Sequence, residues 1–188
     1  MGCDIHLRIE QKRKTETDDW RLCKLTREKS WGDRVYGMFA RLANVRNYWE
    51  LKHLPVRGFP KDAASVTCLA YYCIVLPDEE YEKGISVYEN SKVHYVKEST
   101  ANRWISGGVS EEVKCDQLYT DKRIITHPDW HSASWCTVEE MRKCVNETFY
   151  KDGRWTGDYI EWLSLLGAMD GIEKSGEYDC RAVFWFDN

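Results

Sequence analysis

The feature that most constrains this chain is a pair of strictly alternating segments, one towards each end. Residues 3–10 read CDIHLRIE, with Cys3, Ile5, Leu7 and Ile9 on one side and Asp4, His6, Arg8 and Glu10 on the other. Side chains on a strand alternate between faces, so this is the pattern of a half-buried strand. Residues 178–187, YDCRAVFWFD, repeat it: Cys180, Ala182, Phe184 and Phe186 share one side, Arg181, Val183, Trp185 and Asp187 the other. Two such strands must bury their apolar sides together, and the last is expected to pair with the first. Trp20–Leu25 reads as a further strand, joined to the first through the polar turn KRKTETDD.

The segments between carry helical periodicity. In residues 34–47, RVYGMFARLANVRN, Val35, Met38, Phe39, Leu42 and Val45 recur at helical spacing, and Arg46 and Asn47 close the pattern. Thr137 to Glu140 forms a capping box that opens a helix reaching Tyr150. A further helix is expected from Gly157 to about Met169, with Gly171 near its end. RGFPKD (57–62) is a turn, and Asp62 is placed to cap the segment after it. Residues 63–76 fit a buried helix or a strand, and periodicity does not choose. Residues 84–98 read as an inserted β-hairpin turning at Glu89-Asn90-Ser91. Strands at both ends with helices between them give an α+β fold. The expected sheet is mostly antiparallel, pairs the N- and C-terminal strands and has helices packed on one face. A length of 188 residues suits a single domain, 1–188.

Composition excludes several classes. At 43% hydrophobic the chain has the material for a core and is not disordered. Lys plus Arg is 27 against 31 Asp plus Glu, so no general basic field recruits duplex nucleic acid. No apolar run approaches the roughly 18–20 residues of a membrane span, and no secretory signal is read at the start. The eight cysteines include no C-x-x-C pair and are read as small buried hydrophobes, not as a disulfide framework. Met1-Gly2-Cys3 is followed by His6 where a myristoylation signal wants Ser or Thr. Phosphate-binding Gly-rich loops, H-E-x-x-H and G-x-S-x-G are all missing.

Four constellations remain as candidates for chemistry. Asp4 and His6 emerge on one strand face and suit a metal or a carboxylate-oriented general base; the plain alternative is a solvated polar face continued by Arg8 and Glu10. HPDWHSASW (127–135) concentrates His131, Ser132, Ser134, Trp130 and Trp135 before a helix N-terminus. There hydroxyl and backbone N–H groups cradle phosphate, and Trp rings stack on a base; the alternative is a loop satisfying its own backbone. Arg46, with Asn47 beside it, and Arg57 flank turns where guanidinium forks bind phosphate; the alternative is an ion pair to Asp62 or Glu50. Asp187, on the last strand, falls near Asp4 and His6 if the two terminal strands pair.

Taken together, these motifs resemble a family of small proteins of tailed phages and bacterial genomes that open with M-G-C-D-I-H. The blocks are MGCDIH (1–6), RVYGMFARLANVRN (34–47), RGFPKD (57–62), HSASW (131–135) and RAVFWFDN (181–188). Met38 stands where the family has Leu, and residues 63–126 match least, as a variable insertion would. The resemblance implies a phage or prophage source and action in the bacterial host cytoplasm; it supplies no reaction. Phage accessory proteins often counter host defence, which suggests a nucleotide immune signal as ligand.

Three functions are expected. The first is a phosphodiesterase on a linear or cyclic nucleotide. His6 and His131 act as base and acid, Asp4 orients His6, and Arg46, Asn47, Arg57, Ser132, Ser134 and Trp135 hold the ligand. A metal-assisted version uses Asp4, His6 and His131 as ligands to a divalent cation. The second is a non-catalytic sponge, a small homo-oligomer that sequesters the same nucleotide. The third is a protein–protein inhibitor of a host factor, with the Trp residues and the 84–98 hairpin as its interface.

Overall fold

A computed structural model describes residues 2–15, 19–23, 34–83 and 93–187. In chain order they form β1 (Ile5–Arg13), β2 (Arg21–Leu22), α1 (Tyr36–Ala43), α2 (Ser65–Tyr71), β3 (Tyr72–Leu76), α3 (Asp78–Glu82), β4 (His94–Lys97) and α4 (Glu98–Ser106). There follow β5 (Glu112–Val113), β6 (Ile124–Thr126), β7 (His131–Thr137), α5 (Val138–Phe149), β8 (Tyr150–Lys151), β9 (Arg154–Trp155), α6 (Ile160–Lys174) and β10 (Tyr178–Phe186). The chain divides into two compact units, Met1–Asp62 with His131–Asn188, and Ala63–Trp130. No helix among the described residues is long and apolar enough to cross a membrane.

The first unit is built on an antiparallel sheet in the order β2-β1-β10-β7. The terminal strands pair along their whole length, from Ile5 opposite Phe186 to Arg13 opposite Tyr178. This register puts the apolar sides of both strands on one face, where Leu7, Ile9, Ala182 and Phe184 are fully buried. Their core partners are Met38, Phe39 and Leu42 of α1, Met141 and Val145 of α5, and Trp162, Leu165 and Met169 of α6. The opposite face is not the solvated face that Arg8 and Glu10 suggest. Glu10 is fully buried and Arg8 only 5% exposed, beside buried Arg181, Val183 and Trp185.

Several boundaries differ from the sequence pattern for physical reasons. α1 stops at Ala43 because Asn44 turns left-handed (φ 60°) and its N–H returns to the Phe39 and Ala40 carbonyls. α6 continues through Gly171 to Lys174; each interior Gly costs about 1 kcal/mol, less than burial of Trp162, Leu165 and Met169 returns. Asp62 caps nothing: Ala64 is the N-cap of α2 and no side chain caps it. HSASW is strand, within β7, and not a loop.

In the second unit, residues 63–76 are both helix and strand, α2 running directly into β3. The sheet order is β4-β3-β6-β5, with β3 parallel to β4 and antiparallel to β6. Its core is Cys73, Val75, Val96, Ala101 and Ile125. The expected hairpin turn at residues 89–91 lies outside the described residues, and the described part of that segment, β4, pairs with β3.

Candidate functional site

On the sheet face away from the helices, register sets Glu10 opposite Arg181, and Arg181 opposite Thr137. Val183, two residues on, faces Trp135. Arg181 is 4% exposed, and a guanidinium so far removed from water needs counter-charges beside it. It has two: its Nε donates to Glu10 Oε2 at 2.9 Å and its Nη1 to Asp62 Oδ1 at 2.9 Å. Trp20 Nε1 donates to the other Asp62 oxygen at 3.0 Å. The turn at 57–62 therefore places Asp62 as a clasp between Arg181 and Trp20.

Guanidinium and indole groups then alternate. Arg57 Cζ lies 4.6 Å from the Trp135 ring centroid, Arg181 Cζ 5.8 Å from the same ring and 4.0 Å from that of Trp20. Arg57 is fixed in turn: Nη1 donates to the Trp135 carbonyl at 2.8 Å, and Nη1 and Nη2 grip Glu140 at 2.8 and 2.5 Å. Glu140 also accepts the Thr137 N–H and closes the capping box of α5. The Arg57 guanidinium, helped by Thr137, holds the Glu140 carboxyl below its ordinary range. A cavity of about 640 Å³ opens onto this array, lined by Trp20, Arg57, Phe59, Lys61, Trp135 and Arg181. Three carboxylates, Asp62, Glu173 and Asp179, complete its walls.

A second cluster forms where the terminal strands end. His6 Nε2 and Asp187 Oδ2 are 3.1 Å apart, each side chain 31% exposed. The other Asp187 oxygen accepts the Asp4 N–H at 2.9 Å, and the Asp187 N–H returns to the Asp4 carbonyl at 3.2 Å. The His6 ring stacks on Trp185, centroids 5.5 Å apart. Asp187 therefore orients His6. The Asp4 carboxylate instead takes Arg34 through both oxygens, at 2.8 and 3.3 Å, and that bond lowers its pKa.

The other candidate residues are placed differently from the sequence reading. His131 is opposite Phe186 and stacks on it, on the helix-covered face; His6 is opposite Trp185, on the other. The two histidines are split by the sheet and do not form an acid–base pair. Nor do Asp4, His6 and His131 form a metal triad, and no group of three or more His, Cys, Asp or Glu able to hold a metal ion occurs among the described residues. Ser134 is fully buried; its hydroxyl accepts the Arg57 N–H and faces the Pro55 carbonyl. Ser132 sits beside the β-bulge with φ 51° and bonds His131 Nδ1 at 3.0 Å. The expected phosphate cradle is closed, because Glu140 and Thr137 already serve the N-terminus of α5. Asn47 ties its own loop, donating to Asn44 Oδ1 and the Leu51 carbonyl. Arg46 donates to Tyr48 Oη at 3.1 Å, away from the cavity's lining. Of the expected ligand-binding residues, Arg57 and Trp135 line the cavity.

Sequence reasoning misses Trp20, Arg181 and Asp62 as site residues. Part of their signal is there to find: Arg181 and Glu10 share a sheet face once the terminal strands pair, and a buried arginine needs carboxylates. Compared with known proteins, the chain matches no family model, no curated protein and no solved structure.

Proposed function

We propose that the chain binds a nucleotide-type ligand in the Trp20–Trp135 cleft and sequesters it. One observation carries this reading: aromatic faces and guanidinium groups line a single cavity of about 640 Å³, held in place by ion pairs and not left to order on binding. That volume is in the ordinary range for small-ligand pockets. A nucleotide presents a ring to stack and an anionic group to pair. Arg57 commits three of its N–H contacts to Glu140 and Trp135, and a guanidinium carries five donors. Lys61 adds an ammonium at the exposed rim. The carboxylates of Glu173 and Asp179 suit the exocyclic amines of a base. In the phage setting that the resemblance implies, the ligand class is a nucleotide immune signal in the host cytoplasm, and the protein acts as a counter-defence sponge.

A second reading rests on a different observation, the His6–Asp187 contact of 3.1 Å. A carboxylate-oriented imidazole at a half-exposed edge is the arrangement of a general base, and it would activate water against a phosphodiester. This is the phosphodiesterase reading in a form that uses one histidine.

The test incubates purified protein with a panel of linear and cyclic nucleotides, with and without EDTA, and follows each by mass spectrometry before and after heat denaturation. Sequestration removes a nucleotide from solution and returns it unchanged. Trp135→Ala and Trp20→Ala should each weaken binding by about 5–100-fold, the worth of one stacked base. A new mass supports the hydrolytic reading. If every nucleotide stays free and intact, both readings fail, and an inhibitor of a host protein takes their place.

A further inference from the structure

The sheet face that carries the cleft holds a second buried guanidinium. Arg8 and Glu10 stand two apart on β1, so their side chains share a face. Register sets Arg8 opposite Val183 and Glu10 opposite Arg181. Arg8 and Arg181 are therefore diagonal neighbours, about 7–8 Å apart at the usual spacing. The two are alike in burial, 5% and 4% exposed. They differ in their partners. Arg181 bonds Glu10 and Asp62, and Arg57 bonds Glu140. Arg8 makes one hydrogen bond, a long one of 3.4 Å from Nη1 to the Leu7 carbonyl. Among the described residues no carboxylate pairs with it, and Glu10, the acid next to it on this face, is held by Arg181. Burial alone shifts its pKa, downward, and a guanidinium stays charged under such a shift. It thus carries a full charge and most of its five donors unspent. A buried cation without a counter-charge costs stability, and an apolar side chain of the same length would avoid that cost. Such a group calls for a partner of opposite charge.

We propose that Arg8 is an oxyanion-binding residue, which takes the phosphate or carboxylate group of a small ligand at the open face of the sheet. Both groups offer two oxygens to the parallel N–H bonds of a guanidinium fork. Removal from bulk water strengthens that pairing. At 5% exposure the guanidinium meets a ligand through a narrow opening, which suits one small charged group and not a ring. His6, two residues before Arg8 on the same face, bounds the site with its ring stacked on Trp185. The site lies outside the lining of the Trp20–Trp135 cavity, so it does not rest on the nucleotide reading.

The experiment adds inorganic phosphate or acetate to the full chain, at constant ionic strength against chloride, and follows thermal melting. An oxyanion that binds should raise Tm by about 3–6 °C at ten times its dissociation constant. Which of the two does so separates a phosphate site from a carboxylate site. Phosphate also stabilises proteins by exclusion from their surface, so the rise is measured against Arg8→Met. That variant keeps the stem and loses the charge; it should melt no lower than the wild type in chloride and should lack the specific rise. In NMR spectra of nitrogen-labelled wild-type protein, the Arg8 Nε–H signal should move saturably with the same midpoint. This titration decides the matter whether or not the variant folds. Three results would overturn the proposal: no rise beyond chloride with either oxyanion, an equal rise in Arg8→Met, or movement of the Arg57 and Arg181 signals with that of Arg8 unmoved. The last would remove this site and leave the nucleotide reading standing.

Discussion

The Arg181 guanidinium lies 4.0 Å from the Trp20 ring centroid while it also bonds Glu10 and Asp62, so one side chain joins β10, β1, the 57–62 turn and the segment before β2. Its stem and head are 4% exposed, and Glu10 is fully buried. Such a pair loses its hydration and recovers it only through good geometry and further hydrogen bonds. Here Asp62 and the two indole faces supply the remainder. The arrangement rigidifies the cleft wall, which is what a preformed binding surface requires.

Arg181→Met should therefore be strongly destabilising. It keeps much of the volume but deprives the buried Glu10 carboxylate of its Arg181 counter-charge, a loss of about 3–5 kcal/mol. Replacing both partners, as Glu10→Leu with Arg181→Met, should recover most of that. Urea denaturation measures both. A single variant as stable as the wild type would show that the pair is not what holds the face closed.

Glu140 links this array to acid stability. Its folded pKa lies below its ordinary 4.5, chiefly because Arg57 bonds the charged form. A depressed carboxylate pKa stabilises the fold above the unfolded value and loses that contribution as pH falls through the folded value. The loss should thus begin near pH 4.5 and deepen below it. Glu140→Gln should show a shallower fall of stability with acid over that range. Glu140→Ala also loses the capping box and should cost about 1–2 kcal/mol at neutral pH. Thermal melts across about pH 3–7 for the three proteins give the comparison; parallel curves for wild type and Glu140→Gln would refute the linkage.

Much of the fold was legible because alternation is a direct consequence of strand geometry. The pairing of Ile5–Arg13 with Tyr178–Phe186, and the apolar face it makes, follow from two patterns that fit only together. The Thr137–Glu140 box was legible for the same kind of reason, a local hydrogen-bond need met by residues three apart. The site was less so. The two histidines looked equivalent in sequence, but the β-bulge between Phe184 and Phe186 makes β7 advance by an extra residue and leaves His131 on the Phe186 side. Nothing local to HSASW announces that bulge. Arg57 reads as an exposed fork beside a glycine, and its partner Glu140 lies 83 positions away. Long-range ion pairs of this sort are set by tertiary placement, which one sequence does not encode in any short window.

The end of α1 offers a local test. Asn44 adopts φ 60° and ψ 20°, a left-handed conformation that costs most residues about 1–2 kcal/mol and Gly nothing. Its Oδ1 also accepts the Asn47 amide at 2.8 Å. Asn44→Ala loses on both counts and should destabilise by about 1–2 kcal/mol. Asn44→Gly loses only the side-chain bond and should cost under about 1 kcal/mol. Equal losses by chemical denaturation would mean that backbone strain is not the reason for Asn here.

The separation of the two histidines can be tested without knowing the ligand. His6 stands on β1 and His131 on β7, with β10 between them, so their strands are about 10 Å apart at the usual spacing. They also project to opposite faces. His6 contacts Asp187 and Trp185; His131 contacts Ser132 and Phe186. Groups so placed share no direct partner among these contacts, so their substitutions should add. His6→Ala, His131→Ala and the double variant should give a coupling energy within about 0.5 kcal/mol of zero, both in stability and in nucleotide affinity. His6→Ala should remove any turnover, because it deletes the base that Asp187 orients, whereas His131→Ala should leave turnover in place and lower stability through its packing on Phe186. A coupling of about 1–3 kcal/mol would instead mean that both imidazoles act on one ligand, and the two-histidine acid–base mechanism would return as the better account.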